Sequence, residues 1–319
     1  MQHQKTNHVF FNFAVIVAAL GYFVDIYDLL LFAIIRIESL ASLGLSPQQV
    51  TIEGEAILQW QMAGLMIGGI IAGVIADKKG RITVLFGSIL FYSLANIANG
   101  MVTTVEQYKL IRFLAGIGLA GELGVGITLV SELISKEKRG IATSFVAGIG
   151  LTGAVVAFIM KENFNWRTCY YIGGGLGLLL LVLRISVFES GMFKMVKQMD
   201  VQRGNFFMLF TNKERFKKYL TSILIGLPTW FVIGILVAFS NEFGKRMGIQ
   251  ENIDPGKAIM YAYVAISIGD ILIGFISQWF RSRKGALYLF YAITVFFMIL
   301  FFTAQWGGTA AKMYWICAG

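Results

Sequence analysis

The sequence predicts an all-α polytopic membrane protein, with a six-helix N-terminal bundle and a shorter C-terminal bundle that together make nine to ten spans. Of the 319 residues, 57% are hydrophobic and only 14% are charged, whereas a soluble globular protein carries about 25% charged residues. Apolar runs close to the ~20 residues that a helix needs to cross a bilayer recur along the chain. The net charge of +9 fits basic loops at a membrane surface, so nucleic acid is not expected as a partner.

Six long apolar runs make up the first half. The first run is too long for a signal-peptide core, so we interpret it as a span. The predicted spans are 10–36, 56–76, 82–101, 108–134, 141–160 and 168–187. Short charged or polar segments separate them, which predicts an N-terminal bundle over residues 1–187.

Basic residues mark alternate loops of this half. Residues 77–81 contain three Lys or Arg, and residues 135–140 contain three more. The segment 37–55 contains glutamates and no Lys or Arg, so we predict a loop on the other side. By the positive-inside rule, the N-terminus and the basic loops are cytoplasmic.

The second half begins after a long polar stretch. Residues 188–218 are rich in Lys and Arg and predict a cytoplasmic linker, with short amphipathic helices on the membrane surface. The C-terminal bundle then covers 219–319, with spans at 219–240, 257–280 and 286–304 and a last apolar run near Met313. Residues 241–256 are predicted as an outer loop.

An internal repeat relates the two halves. Residues 274–284 lie between two predicted spans, as residues 73–81 do, and Gln278 takes the place of Asp77. Two related halves joined by a long loop are typical of secondary transporters.

Five of the charged residues inside predicted spans are the most informative, because an unpaired charge in a span costs about 2.5–3.5 kcal/mol on insertion scales. They must therefore face a cavity or each other, and a proton or substrate pathway is the favoured interpretation. A purely structural ion pair is the alternative. The five are Asp25, Asp28, Arg112, Glu122 and Asp270.

Glycine patterns in the spans indicate helix packing rather than nucleotide binding. Residues 116–121 and 148–153 both spell G-x-G-x-x-G, but neither follows a strand or opens a βαβ unit. Small residues at helical spacing instead let helix backbones approach closely in lipid. The same packing is predicted for Gly64 with Gly68 and for Gly69 with Gly73.

No pattern of an enzyme appears in the chain. The sequence has no Ser-His-Asp, HExxH or Walker arrangement, and its two cysteines lie in separate predicted spans. The two histidines lie in the N-terminal tail without metal-ligand spacing. We therefore predict no enzymatic activity, no cofactor and no metal site.

The charged stretch between spans two and three resembles the signature loop of the major facilitator superfamily, Gly-x-x-x-Asp-(Arg/Lys)-x-Gly-(Arg/Lys)-(Arg/Lys). Ile82 departs from the pattern at the last position. The resemblance implies two six-helix bundles, so that on ~20 residues per span roughly 75–100 residues are expected to be missing at the C-terminus. It also implies that the stretch is a gating loop, with Gly73, Asp77, Lys78, Gly80 and Arg81 as the matching residues.

Spans one and four resemble sugar porters, metabolite:proton symporters and aromatic-acid:proton symporters of that superfamily. Tyr27-Asp28 is similar to their Gly-Tyr-Asp element, with Ile26 in place of the glycine, and Gly121-Glu122 is similar to their Gly-Glu. Arg112 begins a segment that is similar to their Arg/Gly motif. In those families the span-one Asp takes up protons and interacts with the span-four Arg, which implies an Asp28–Arg112 pair.

Asp25 lies three residues before Asp28, so both carboxylates are near one helical face. Ionising both in a low-dielectric cavity is unfavourable, and Arg112 can stabilise only one of them well. Asp28 is the predicted partner because it lies at the depth of Arg112. We expect Asp28, Asp25 and Arg112 to serve proton coupling, and Glu122 and Asp270 to line a substrate cavity.

The sequence therefore predicts a secondary transporter of the inner membrane that moves a small polar metabolite, an organic acid or a sugar, by proton symport and alternating access. The expected partners are the substrate, the proton and the bilayer, with no obligatory protein partner. A proton-coupled exporter of the same fold is one alternative. A non-transporting receptor or assembly subunit is another, since fold alone does not settle function.

Overall fold

The computed structural model describes residues 13–133, 139–186, 204–303 and 309–319, and in these ranges it is helical with no strand. Six long helices form the N-terminal half, and a short 3₁₀ turn, Arg184–Ser186, follows the sixth. Their bounds are α1 Phe13–Ser42, α2 Pro47–Lys79, α3 Arg81–Asn99, α4 Val105–Leu133, α5 Arg139–Asn163 and α6 Trp166–Leu183.

The C-terminal half contains three long and three short helices within the described residues. A π-helical segment, Val232–Val237, continues directly from the second of them. The bounds are α7 Met208–Thr211, α8 Lys213–Phe231, α9 Ser240–Arg246, α10 Pro255–Trp279, α11 Arg283–Thr303 and α12 Ala310–Ala318. Within the described ranges, eight helices are long and apolar enough to cross a membrane, which supports a multi-pass membrane protein.

The turn between α1 and α2 is much shorter than the predicted loop 37–55, because α1 continues to Ser42 and α2 begins at Pro47. Ser46 forms a capping box with Gln49, so the backbone turns directly into the next helix. At 33 residues, α2 is about 50 Å long and extends beyond a hydrocarbon core of about 30 Å. The glutamates that indicated a loop lie within these two helices, Glu38 in α1 and Glu53 and Glu55 in α2.

The predicted gating loop is a one-residue break. α2 continues through Lys79, and α3 begins at Arg81. Gly80 between them has φ +108°, a conformation that glycine adopts without the steric cost of a side chain. We call this end of the molecule the hairpin end, and the end with the α1–α2 turn the opposite end.

Two boundaries in the second half also differ from prediction. Residues 187–203 of the predicted linker lie outside the described residues. The first long helix after them begins at Lys213 rather than at Tyr219, and Asn212 caps it by accepting from the amides of Glu214 and Arg215. Helix α9 occupies part of the predicted loop 241–256, and α12 extends over the last apolar run.

Close helix packing by glycine is confirmed at both G-x-G-x-x-G segments. A Cβ at Gly116 would meet the backbone of Gln61, and one at Gly153 would meet the backbone of α1. Gly64 and Gly68 of α2 face the α4 backbone in the same way. The glycines therefore permit close backbone contact between α2 and α4 and between α1 and α5.

The same prediction is wrong for Gly69 and Gly73. A Cβ at either position would meet no atom within 4 Å. Both instead line a groove together with Ala120 and Gly124 of α4, so space rather than close backbone contact lies beside them.

The two halves meet along α5 and α10, which pack against each other over much of their length. Gly148 of α5 lies against Ile271 of α10, and Ser144 of α5 lies against Gly274. Helix α1 lies beside this seam, so it contacts both halves and occupies the centre of the molecule.

Candidate functional site

Helix α1 carries two carboxylates into the interior of the bundle. Asp25 is 1% exposed and Asp28 is fully buried. The helix is enclosed by α2, α4, α5 and α6. Neither carboxylate can reach water at the surface, so each needs a partner inside the bundle.

Asp28 has such a partner in Arg112 of α4, the pair that the family resemblance implied. Arg112 Nη1 lies 3.3 Å from Asp28 Oδ1, and its Nη2 donates to the Asp28 carbonyl oxygen at 3.1 Å. Both side chains are buried. One guanidinium thus binds the carboxylate and the backbone of the same residue, which fixes α4 against α1.

Two further helices hold Arg112 in place. Its Nε donates to Gln61 Oε1 of α2 at 3.2 Å, and Gln61 Nε2 donates to the Leu29 carbonyl at 3.0 Å. On the α6 side the guanidinium carbon lies 5.7 Å from the centre of the Tyr170 ring, within cation–π distance. Contacts from α1, α2 and α6 therefore converge on this arginine.

The second oxygen of Asp28, Oδ2, is buried without a hydrogen bond to any described residue. Buried polar atoms with the same lack of partners lie along α3, and the Asn96 side chain faces Asp28. Such groups are rare in proteins and often bind water. The α3 residues are Tyr92, Ser93, Asn96 and Asn99.

Sequence analysis missed this polar stripe and Gln61. The spacing of Tyr92, Asn96 and Asn99 at i, i+4 and i+7 is the signal that could have found the stripe, because such positions share a helix face. Gln61 is a lone polar residue in an apolar span, and its role depends on a contact with a residue 51 positions away.

Glu122 of α4 forms a second buried ion pair, with Arg184 at the end of α6. Both oxygens of Glu122 accept from the two terminal nitrogens of Arg184, with Nη1 at 2.6 Å from Oε2. The bidentate geometry is the strongest that a carboxylate and a guanidinium make. Gly21 of α1 lies against this pair and leaves no room for a Cβ. Sequence analysis did not single out Arg184.

Asp25 lies between the two pairs. Neither of its oxygens makes a hydrogen bond within the described residues. The charged groups around it are Glu122, Arg184 and Asp28, and the Tyr92 hydroxyl also faces it. This cluster thus contains three carboxyl groups and two guanidiniums, one acidic group in excess.

Asp270 stands apart from this cluster. It lies on α10, is partly exposed, and forms no ion pair with the described residues. Its charge acts on the Tyr22 side chain of α1, next to the Gly21 that lies against Glu122. Among the described residues no ion pair joins Asp270 to the buried cluster, and its role in a substrate cavity stays a prediction.

A cavity of about 740 Å³ lies between α1 and α2 on one side and α8, the π-helical segment and α9 on the other. Its wall is mainly apolar, with Leu30, Leu58 and Trp230, and includes the carboxylates of Glu55 and Glu242. Neither Glu122 nor Asp270 lines it.

At the hairpin end two of the five predicted gating residues, Asp77 and Arg81, form a local network with Glu132. Arg81 Nη2 lies 3.4 Å from Asp77 Oδ1 and 3.1 Å from Glu132 Oε1. Lys78 is exposed in the last turn of α2, and Gly80 forms the break. A groove of about 290 Å³ next to the network includes Gly73 in its wall.

A bundle of apolar helices that encloses ion pairs is typical of multi-pass membrane proteins with an internal polar site. The sequence model described as Major Facilitator Superfamily matches residues 11–319. The chain therefore belongs to the major facilitator superfamily.

Curated relatives of the chain are transporters rather than enzymes. It is 27% identical to a "putative metabolite transport protein" of Haemophilus influenzae, over 74% of this chain and 60% of that protein. It is 32% identical to the niacin transporter NiaP of Acinetobacter baylyi, over 54% of this chain and 40% of that protein. The chain thus matches less than two thirds of the length of these relatives.

Solved structures with the same fold include the proton:xylose symporter XylE, with a TM-score of 0.62 and 15% identity over 97% of this chain and 81% of that chain. An inward-open structure of XylE from E. coli gives a TM-score of 0.53 and 20% identity, over 98% of this chain and 80% of that chain. At this identity the similarity establishes the fold alone.

Proposed function

We propose that the chain is a proton-coupled secondary transporter of a small polar metabolite. The observation that carries this proposal is the buried Asp28–Arg112 pair on α1 and α4, with Asp28 Oδ2 left without a hydrogen bond. A carboxylate in this position can bind a proton, whereas one with all its acceptor sites filled is held in the ionised form.

Proton coupling follows from how the Asp28–Arg112 pair responds when the two halves of the protein move. While Arg112 contacts Asp28, the positive guanidinium stabilises the ionised carboxylate. If rocking of the two halves draws α4 away from α1, the isolated carboxylate loses that stabilisation and binds a proton. Asp25 supplies a second acid in the same enclosure, and the α3 stripe supplies polar groups that can guide protons or water to both.

The proposed substrate class is an organic acid or a sugar. The relatives include a niacin transporter and a 4-hydroxybenzoate transporter of Pseudomonas putida, the latter 33% identical over 44% of this chain. Both named compounds combine a small ring with a polar group. An aromatic acid is therefore the first compound to test.

We further propose that the protein resides in the inner membrane with its N-terminus and hairpin end in the cytoplasm. The motivation is the excess of Lys and Arg at that end. A membrane-impermeant thiol reagent applied from outside should label a cysteine at exposed Gln48 and miss one at Lys79. Strong outside labelling at position 79 would reverse the orientation.

Transport is tested with the full chain in membrane vesicles. Labelled nicotinate, 4-hydroxybenzoate and xylose are supplied with and without an imposed inward proton gradient. A symporter accumulates at least one compound only with the gradient. An exporter loses preloaded compound faster under an inward gradient, and a receptor or assembly subunit responds in neither direction.

A further inference from the structure

We propose that Lys161 and Asp254 form a gate at the opposite end, an ion pair between the halves that must break before this end can open. The inference rests on the proposed transport function, because a gate has meaning only in a chain that alternates its access. It is carried by contacts at the seam between α5 and α10, at a distance from the buried carboxylates.

Lys161 lies in the last turn of α5, where the negative end of the helix dipole favours a cation. Its Nζ lies 2.6 Å from Asp254 Oδ2, in the other half, and 3.5 Å from Glu38 Oε1 at the end of α1. The lysine side chain is only 10% exposed, so water screens this contact less than it screens an ordinary surface pair.

Asp254 is itself held firmly. Its Oδ1 accepts from the amide of Gly256 at 2.8 Å and so caps α10, while its own amide donates to the Tyr314 hydroxyl at 2.9 Å. One carboxylate oxygen therefore starts a helix and the other binds Lys161. Asp254 moves with α10 because it caps that helix. If α10 moves away from α5 at this end, the distance between Asp254 and Lys161 therefore has to increase.

Two other contacts join the halves at the same end. The Arg36 guanidinium of α1 is buried and lies 4.1 Å from the centre of the Phe239 ring, and the Thr51 hydroxyl donates to Glu242 Oε1 at 3.3 Å. A cation–π contact of this kind adds attraction without a carboxylate partner. The gate thus belongs to a wider zone of contact that closes the opposite end.

The ion pairs at the hairpin end differ from those at the opposite end. At the hairpin end Arg81 pairs with Asp77 and Glu132, both of which belong to its own half. Charges at the opposite end thus join the two halves, whereas the ion pairs of Arg81 with Asp77 and Glu132 join helices of one half. We infer that the Lys161–Asp254 pair holds the two halves together at the opposite end.

The test measures access to a buried cysteine. In a chain with Cys169→Ser and Cys317→Ser, Ile34→Cys is introduced. Ile34 is buried on α1, and its side chain would lie 3.1 Å from a Cβ at Gly256 of α10. Labelling by a membrane-impermeant maleimide should accelerate roughly threefold in Lys161→Met and in Asp254→Asn, the change expected from loss of a partly exposed ion pair.

Asp254→Asn removes the charge yet keeps an oxygen that can cap α10, so it separates gating from helix formation. Glu162→Gln is the matched control, since Glu162 also lies 3.3 Å from Lys161 Nζ but belongs to the same half. Lys161→Arg should restore slow labelling. The double variant, Lys161→Met with Asp254→Asn, should label no faster than the faster single variant.

Native labelling rates in both Lys161→Met and Asp254→Asn would overturn the gate, as would equal acceleration in Glu162→Gln. The labelling rate needs no substrate, so it is independent of the transport proposal. A chain that shows these rate changes but accumulates no compound would keep the ion pair as a contact that holds the two halves together at this end and would remove the transport function.

Discussion

Two buried ion pairs lie within the same half of this protein, and they differ in how fully they are satisfied. Glu122 and Arg184 form a bidentate pair in which both carboxylate oxygens accept. Asp28 gives one oxygen to Arg112 and leaves the other without a hydrogen bond. Helix α4 supplies one member of each pair, so the contrast does not arise from different helices.

The contrast teaches how to separate a structural charge from a functional one. We call an ion pair saturated when both carboxylate oxygens accept hydrogen bonds, and unsaturated when one oxygen has none. A saturated pair is stable in one protonation state and one geometry, as a structural contact requires. An unsaturated pair among unpartnered polar groups can gain a proton at modest cost. We therefore infer that the alternative raised from sequence, a purely structural ion pair, applies to Glu122, and that proton coupling applies to Asp28.

The largest effect is expected from breaking the saturated pair. Arg184→Met leaves Glu122 as a buried unpaired charge, which should lower folding stability by about 3–5 kcal/mol. The yield of monodisperse protein in detergent and its unfolding midpoint report the loss. Arg184→Met combined with Glu122→Met should recover most of the stability, because an apolar pair of similar volume fills the site. A double variant as unstable as the single one would contradict a structural role.

A second effect concerns the geometry of the unsaturated pair. Arg112→Lys keeps the positive charge but cannot contact Asp28 and Gln61 together, since an ammonium lacks the planar fork. We expect initial gradient-driven uptake to fall about tenfold or more, the loss expected for one charge-assisted hydrogen bond, with normal insertion. Lys109→Arg, on the surface of the same helix, is the control and should keep the native rate. Native uptake in Arg112→Lys would show that the charge alone suffices.

Asp25 should matter less than Asp28, because its oxygens bind no guanidinium. Asp25→Asn removes the acidic group in excess and is expected to change uptake by less than about threefold, below the ~1 kcal/mol of a typical net hydrogen bond. Uptake at several external pH values measures this. Complete loss of gradient-driven uptake in Asp25→Asn would transfer the coupling role to Asp25.

The smallest effect is expected at the hairpin end. Asp77 is half exposed, and its contact with Arg81 is 3.4 Å, so Asp77→Asn removes a pair worth at most about 1 kcal/mol. We expect transport to slow by up to about fivefold, with unchanged membrane insertion and substrate affinity. Lys79→Gln, two residues away and exposed, is the control. A native cycling rate in Asp77→Asn would exclude a gating role.

Sequence reasoning found what depends on local pattern and on family motifs. It placed charges in apolar spans and paired Asp28 with Arg112, and it assigned glycines such as Gly116 to helix contacts. It missed Arg184, whose importance comes from a partner 62 positions away. Gly69 was misassigned because spacing does not show which face of a helix meets a neighbour.

The predicted helix boundaries were wrong for a different reason. Charged residues between apolar runs indicate a loop only if the helices end with the apolar runs, and α1 and α2 continue through the charged segment. Ser46, Gln49 and Pro47 together are a helix-start signal that hydropathy does not contain. Asn212 gives a similar signal before α8.

The central claim, that Asp28 binds the coupled proton, is tested most directly by Asp28→Asn in vesicles. Asparagine resembles the protonated carboxyl in shape and charge, so proton release is abolished while the fold is kept. The account predicts that the variant no longer accumulates a transported compound against its gradient, yet still exchanges labelled for unlabelled compound. Glu122→Gln, run beside it, should reduce the amount of folded protein instead. Undiminished gradient-driven accumulation by Asp28→Asn would contradict the account.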